Sequence, residues 1–392
     1  MRDILAKYFK GDGVIWGVVL LLSLFSLLAV YSSTGSLAYQ SQDASTASYI
    51  LKHFSLLVLS LVVIFITHNI PYKFYSKLSQ LLLIVAFVLL ILTLVMGTSV
   101  NQAKRWLTLP GIGLTIQTSD FAKLALVMYT ARILSVKQYR ITNFKEVVGY
   151  LFVPALIICG LILPENLSTA LILFATVMIL MFVGRVKIKY IASMVMLGVV
   201  LLGILVGSLL LSGEQGRIDT WESRIEHFTD GESSDNYQVK QSKIAIATGG
   251  VLGKGPGNST QRDFLPYAYS DFIYAIIVEE YGFVGGLFIL FLYMVLLYRA
   301  GVIVRRSTRT FGAFLATGLT LLLVIQAVIN MGVTVHLIPV TGQTLPFVSM
   351  GGSSLLFSSL AIGIILSVSR SAGKETSGKK TSGNDAKKAT HA

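Results

Sequence analysis

Apolar stretches follow one another along this chain with short polar interruptions between them. They cover Val14–Val30, Phe54–Ile66, Leu81–Met96, Phe121–Leu134, Val148–Leu163, Ser168–Val183, Ile191–Leu211, Phe272–Leu297, Phe311–Val333 and Leu355–Val368. Each approaches the length that crosses a hydrocarbon core once polar ends and tilt are allowed for. The pattern predicts an all-α polytopic membrane protein with about ten transmembrane helices. A large loop, 213–270, falls between the seventh and the eighth. The first stretch is long for a signal segment and lacks a small-residue cleavage site, so an anchor is expected there. Residues 1–370 are expected to form a single transmembrane domain. The segment 371–392, rich in Gly, Ser, Thr and Lys, is expected to be a disordered basic tail.

Composition agrees with the pattern. Of 392 residues, 54% are hydrophobic and 13% charged, and the mean hydropathy is +0.73, which excludes an ordinary soluble domain. The single cysteine, Cys159, lies inside an apolar stretch, so no disulfide framework is implied. A net charge of +13 invites a nucleic-acid reading, but its distribution argues for orientation instead. With the N-terminus inside, Lys10, Lys73, Lys77, Arg132, Lys137, Arg185, Lys187, Arg299, Arg305, Arg306, Arg309 and the tail lysines all fall on one side. That is a positive-inside topology with both termini cytoplasmic. No nucleic-acid partner is expected.

The polar interruptions on the other side carry the candidate chemistry. The segment Gly253–Gly282 runs from a glycine-rich loop into an apolar helix, with Asp271 at the join. A carboxylate at the mouth of a span is a functional candidate, because desolvation disfavours its charge. It is equally a candidate helix cap. Lys104 and Arg105 are suited to phosphate oxygens or, beside Trp106, to interfacial anchoring. Lys123 lies inside a span, three residues after Asp120 and on the same helical face. The two make an internal pair, or a cation shared with a substrate. The segment Val335–Ser354 is mostly apolar yet broken by Pro339, Gly342, Pro346, Gly351 and Gly352. Non-helical backbone of that kind fits a cavity wall. Glu279 and Glu280 follow Asp271 by about 12 Å of continuous helix, so they are expected to form buried pairs rather than share its chemistry. Glu165 is expected to be a helix-start carboxylate. The scattered histidines offer no zinc pattern, and Gly253–Ser259 lacks the strand and ending of a nucleotide loop, so no nucleotide is expected.

Four separated segments carry a resemblance. Lys104-Arg105-Trp106 with Gln117-Thr118-Ser119-Asp120 and Lys123 is the first, and Pro164 to Ala170 is the second. Gly255-Pro256-Gly257-Asn258-Ser259 through Ser270-Asp271-Phe272-Ile273 and Glu279-Glu280-Tyr281-Gly282 is the third. Leu345 to Ser354 is the fourth. Together they resemble the SEDS family of polytopic peptidoglycan glycosyltransferases, which comprises the FtsW and RodA branches. The compact Gly257–Gln261 run resembles the FtsW branch more, which implies septal synthesis in cell division. Elongation, the RodA role, is the alternative within the family. The chain departs from the family pattern at Asn166 (usually Asp), Asp120 (usually Glu), Tyr269 (commonly His) and Met350 (usually Tyr).

The resemblance implies an inverting polymerisation of lipid II at the outer face, with undecaprenyl pyrophosphate leaving. Asp271 is the expected general base on the attacking hydroxyl. Lys104, Arg105, Asp120, Lys123, Asn258, Ser259, Gln261, Pro346, Ser349, Gly351, Gly352 and Ser353 are the expected substrate-binding residues. A divalent cation, Mg²⁺ or Mn²⁺, is compatible with one carboxylate and a pyrophosphate, although no metal ligands are legible. Implied partners are lipid II, the growing lipid-linked strand, a class B penicillin-binding protein transpeptidase and other divisome membrane proteins. A flippase for lipid-linked precursors is the alternative from another class, and a scaffold for division proteins is a third.

Overall fold

A computed structural model describes residues 10–34, 46–100, 103–108, 115–138, 143–212 and 237–389. The expected first external loop and the first half of the 213–270 loop lie largely outside the described residues. The helices are α1 (Gly13–Ser33), α2 (Thr46–Asn69), α3 (Tyr72–Met96), α4 (Thr118–Val136), α5 (Phe144–Ile162), α6 (Leu167–Val183), α7 (Ile188–Ser212), α8 (Tyr237–Gly249), α9 (Ile273–Arg306), α10 (Thr310–Thr334) and α11 (Gly352–Ala389). All of them except α8 correspond, stretch by stretch, to the predicted apolar runs.

Among the described residues, 8 helices are long and apolar enough to cross a membrane by length and composition. Two predicted spans fall short of that measure for visible reasons. Helix α6 has 17 residues, and α4 carries Asp120, Lys123 and Arg132. Local chemistry sets the boundaries. Asp12 caps α1 by accepting from Val14 N at 3.0 Å, and Asn166 caps α6 by accepting from Thr169 N at 3.1 Å. Helix α11 continues as helical backbone to Ala389, across the segment whose composition predicts disorder. The Lys and Ala residues there are helix-compatible, and the Gly and Ser are what composition weighs against order.

The loop between α3 and α4 adds structure that the all-α expectation leaves out. Strands β1 (Thr98–Val100), β2 (Ala103–Thr108) and β3 (Thr115–Gln117) form an antiparallel sheet in the order β1-β2-β3. Their Thr, Val, Ile and Trp content suits a pleated surface. The run was too short to show against ten helical stretches.

Helices α10 and α11 sit at the centre: 67% of the apolar window of each is buried, against 6% for α7. The bundle has two distinct ends. At one, Asp12 pairs with Arg299 of α9, Tyr72 stacks on Phe311, and Ser367 donates to Ile70 O. The basic residues Arg299, Arg305, Arg306, Arg309 and Arg370 belong to this end. The opposite end gathers the start of α9, the starts of α4, α6 and α11, and the wall 335–351 between α10 and α11.

Helix α9 is broken at Gly282, whose φ of 69° and ψ of −173° are open only to glycine. A break inside a span strands backbone groups that lipid cannot satisfy. The segment after α8 satisfies them. Lys254 N and Gly255 N donate to Glu279 O and Glu280 O at 3.0 and 2.9 Å, and Gly250 O accepts from Phe283 N at 2.9 Å. This edge-to-edge contact needs glycine on both sides. A Cβ on Gly253 would lie 2.2 Å from Glu280 O, and one on Gly282 would lie 2.1 Å from Val251 O.

Candidate functional site

Asp271 stands one residue before the N-cap of α9. That cap is Phe272, and no side chain caps the helix there. The structure holds the peptide run around Asp271 by its carbonyls. Met350 N donates to Tyr269 O at 2.9 Å. Ser349 Oγ donates to Ser270 O at 2.5 Å, and Asn330 Nδ2 donates to Asp271 O at 2.7 Å. Three successive carbonyls are thus fixed by the α10–α11 wall, and the half-buried carboxylate faces that wall. Gly342, at φ +63°, brings bare backbone to it: a Cβ there would lie 3.7 Å from Asp271 Oδ2. The neighbouring Tyr269 phenol is pushed above its ordinary value by burial first, then by Tyr267, the Asp271 carboxylate and Tyr49. It therefore stays protonated at neutral pH, where a histidine would titrate.

The wall is itself held by a polar stripe on α10. Asn330 Nδ2 also donates to Gln343 O at 2.7 Å, and Gln343 Nε2 donates to Thr169 Oγ1 of α6 at 2.8 Å. One turn earlier, Gln326 Nε2 donates to Thr344 O at 3.0 Å. Thr334, one turn later, accepts at its carbonyl from Ser242 of α8 at 2.8 Å. These residues were not among the expected site residues. The signal for them is present in the sequence: Gln326, Asn330 and Thr334 recur every fourth residue through an otherwise apolar helix.

Gln326 also joins the wall to Lys123. Its Oε1 accepts from Lys123 Nζ at 3.1 Å, and Asp120 Oδ1 lies 2.7 Å from the same nitrogen. Both charged residues are buried. The ammonium has three donors, and two are engaged. Asp120 Oδ2 has no partner among the described residues. The pair borders a small recess lined also by Leu124, Gln326, Ser354 and Phe357. A buried pair that leaves bonding capacity facing a recess can both hold the helices and receive an anion.

The other expected residues divide. Pro346 and Ser349 lie in the wall, where the Pro346 carbonyl accepts from Tyr293. Gly351, Gly352 and Ser353 form the start of α11, and Ser353 Oγ accepts from Gln117 N at 3.4 Å. Lys104 and Arg105 lie in β2, with Lys104 opposite Ser99, and their side chains are outside the described residues. Asn258, Ser259 and Gln261 gather around Glu279 instead of Asp271. Glu279 is fully buried and accepts from Ser259 Oγ, Thr260 N, Thr260 Oγ1 and Gln261 N. It also pairs with Lys254 at 2.6 Å. Asn258 Nδ2 donates to Lys254 O at 3.1 Å. Glu280 accepts from Ser32 of α1. The expectation that these two glutamates form buried pairs holds.

Among the described residues no group of three or more His, Cys, Asp or Glu could hold a metal ion. At Asp271 the chain supplies a single carboxylate.

Comparison with known proteins places this arrangement. The chain is 37% identical over 364 residues to the stage V sporulation protein E of Bacillus subtilis, covering 90% of this chain and 95% of that one. It is 35% identical over 382 residues to the probable peptidoglycan glycosyltransferase FtsW of Trichlorobacter lovleyi, covering 94% and 96%. Among solved structures, a peptidoglycan synthase complex that coordinates polymerization and crosslinking superposes with a TM-score of 0.71 at 25% identity, covering 92% and 98%. The rod shape determining protein RodA of Thermus thermophilus gives 0.61 at 25% identity, covering 92% and 97%. Residues 12–374, which hold every cluster described above, match the FtsW/RodA/SpoVE cell cycle protein family, and the chain belongs to that family.

Proposed function

We propose that this chain polymerises lipid II into glycan strands at the outer face of the inner membrane, with Asp271 as general base, in septal synthesis. It is a multi-pass membrane enzyme of the peptidoglycan glycosyltransferase type. The single observation that carries Asp271 is the fixing of the Tyr269, Ser270 and Asp271 carbonyls by Met350, Ser349 and Asn330. A base must be held where its proton is taken, and the peptide that carries this carboxylate is held on three successive carbonyls.

The reaction then balances in one displacement. The carboxylate of Asp271 takes the proton of the acceptor hydroxyl, whose oxygen bonds to the anomeric carbon of the donor. The bond from that carbon to the pyrophosphate oxygen breaks, the anomeric centre inverts, and pyrophosphate leaves on its lipid. No second carboxylate is required as nucleophile, in keeping with Glu279 being spent on hydrogen bonds. Lys123, with Asp120 and Gln326, supplies a desolvated cation for the phosphates. Lys104 and Arg105 add charge from β2. The wall residues Pro346, Ser349 and Gly351, with Gly352 and Ser353 at the start of α11, shape the substrate's surroundings. Asn258, Ser259 and Gln261 support the site from the Glu279 side. Asp271 is the one carboxylate here that would hold a divalent cation. Such a cation would offset charge on the leaving group.

The basic end of the bundle supports cytoplasmic termini. A crosslinking partner, a class B penicillin-binding protein, is supported by the superposition on a complex that couples polymerization to crosslinking. Other divisome membrane proteins are proposed neighbours at the septum.

The test is strand synthesis by the purified chain and its Asp271→Asn variant in detergent. Polymer is expected from the parent and is lost in the variant. Detergent leaves no two sides to transport between, so polymer formed there separates this reading from a flippase. Absence of polymer together with lipid II translocation in liposomes would reverse the conclusion.

A further inference from the structure

One buried titratable group lies outside this machinery. His53 of α2 is fully buried, and its Nε2 lies 2.7 Å from Ser26 Oγ of α1. The same hydroxyl donates to Val348 O at 2.8 Å. A hydroxyl has one proton. With that proton committed to the carbonyl, Ser26 Oγ accepts from the ring, so the neutral tautomer of His53 carries its hydrogen on Nε2. Its Nδ1 has no hydrogen-bond partner among the described residues. An unsatisfied buried nitrogen is a cost that an apolar side chain would avoid. What the imidazole supplies is therefore the bond it donates.

That bond leads to the site. Val348 lies in the turn Leu345–Met350, closed by Val348 N on Leu345 O at 3.1 Å and by Leu345 N on Ser349 Oγ at 2.7 Å. The next two residues of the turn, Ser349 and Met350, hold the carbonyls of Ser270 and Tyr269. We propose that His53 is a positioning residue for glycosyl transfer: through Ser26 it braces the Val348 turn, and through that turn it fixes the peptide run that presents Asp271. The inference rests on the reading of Asp271 as base. It assigns Ser26 of α1 and His53 of α2 a part in the reaction. A slack turn would leave substrate binding intact and misplace the base, and small misplacements are costly in rate.

The experiment is steady-state polymerisation of lipid II by the full-length chain with its proposed transpeptidase partner, with thermal melting of each preparation. His53→Leu and Ser26→Ala are each expected to lower kcat about tenfold, with KM for lipid II unchanged. His53→Gln, whose amide N–H reaches the Nε2 position, is expected to stay within about threefold of the parent. The double variant His53→Leu with Ser26→Ala is expected to be no slower than the slower single, because both act through one chain of bonds. If His53→Leu fails to fold, Ser26→Ala, the loss of one oxygen, decides together with His53→Gln. Parent-like kcat in Ser26→Ala overturns the proposal. So does a His53→Gln enzyme as slow as His53→Leu, or a rise in KM at constant kcat. Asp271→Asn is assayed alongside. Activity in that variant removes the base assignment itself, whereas normal Ser26→Ala turnover beside an inactive Asp271→Asn removes only the positioning chain.

Discussion

Asp271 and the Glu279–Glu280 pair share one stretch of chain yet have opposite surroundings. Glu279 accepts from several hydroxyl and backbone donors and from Lys254, all inside the protein. Asp271 has its backbone held and its carboxylate half-buried beside Gly342. Glu279 is saturated and enclosed; Asp271 is half-buried and held through its peptide. Burial alone therefore does not identify a reactive carboxylate in this bundle. What marks Asp271 is the hold on the peptide that carries it, from Asn330, Ser349 and Met350.

The sharpest way to break the comparison is to neutralise each acid in place. Asp271→Asn is expected to lower kcat by about 10²- to 10⁴-fold with its melting temperature unchanged, read from polymer yield and melting of one preparation. Glu279→Ala is expected to do the reverse. It strands Lys254 and the backbone donors of Thr260 and Gln261, and costs about 3–5 kcal/mol of stability, while molecules that fold still turn over. A stable Glu279→Ala protein without activity would make the glutamate a participant and end the contrast. Asn330→Ala sharpens it more finely. Loss of the bond to Asp271 O is expected to lower kcat about tenfold, with a stability loss of about 1–2 kcal/mol measured by denaturant titration. The smallest effect is expected at Lys254→Gln. Its ammonium is partly exposed and keeps a polar replacement, so stability should fall by about 1 kcal/mol or less and kcat should hold.

The helices were legible because apolar length is a long, redundant signal. The run Phe311–Val333 announces α10 whatever its neighbours do. Asp271 was legible as a candidate because charge at the mouth of a span is rare. Why it qualifies was not legible, since Asn330 reaches the Asp271 carbonyl across 59 residues of sequence and Ser349 reaches that of Ser270 across 79. Only tertiary packing creates those contacts. Gln326 and Asn330 were overlooked for a different reason: amides in a span look like tolerated exceptions until their shared face is plotted. The break at Gly282 was hidden too, because a glycine inside a helical pattern has no unique meaning. Glu279 and Glu280 both precede that break.

The meeting of the Gly250–Gly255 strip with α9 has a genetic consequence. A side-chain clash in a packed core can be relieved by a second substitution that makes the facing residue smaller. At Gly253 and Gly282 the facing atoms are the main-chain carbonyls of Glu280 and Val251, which every amino acid possesses. A selection for revertants of Gly282→Ala or Gly253→Ala should therefore return the glycine itself, and no intragenic suppressor at the position directly opposite.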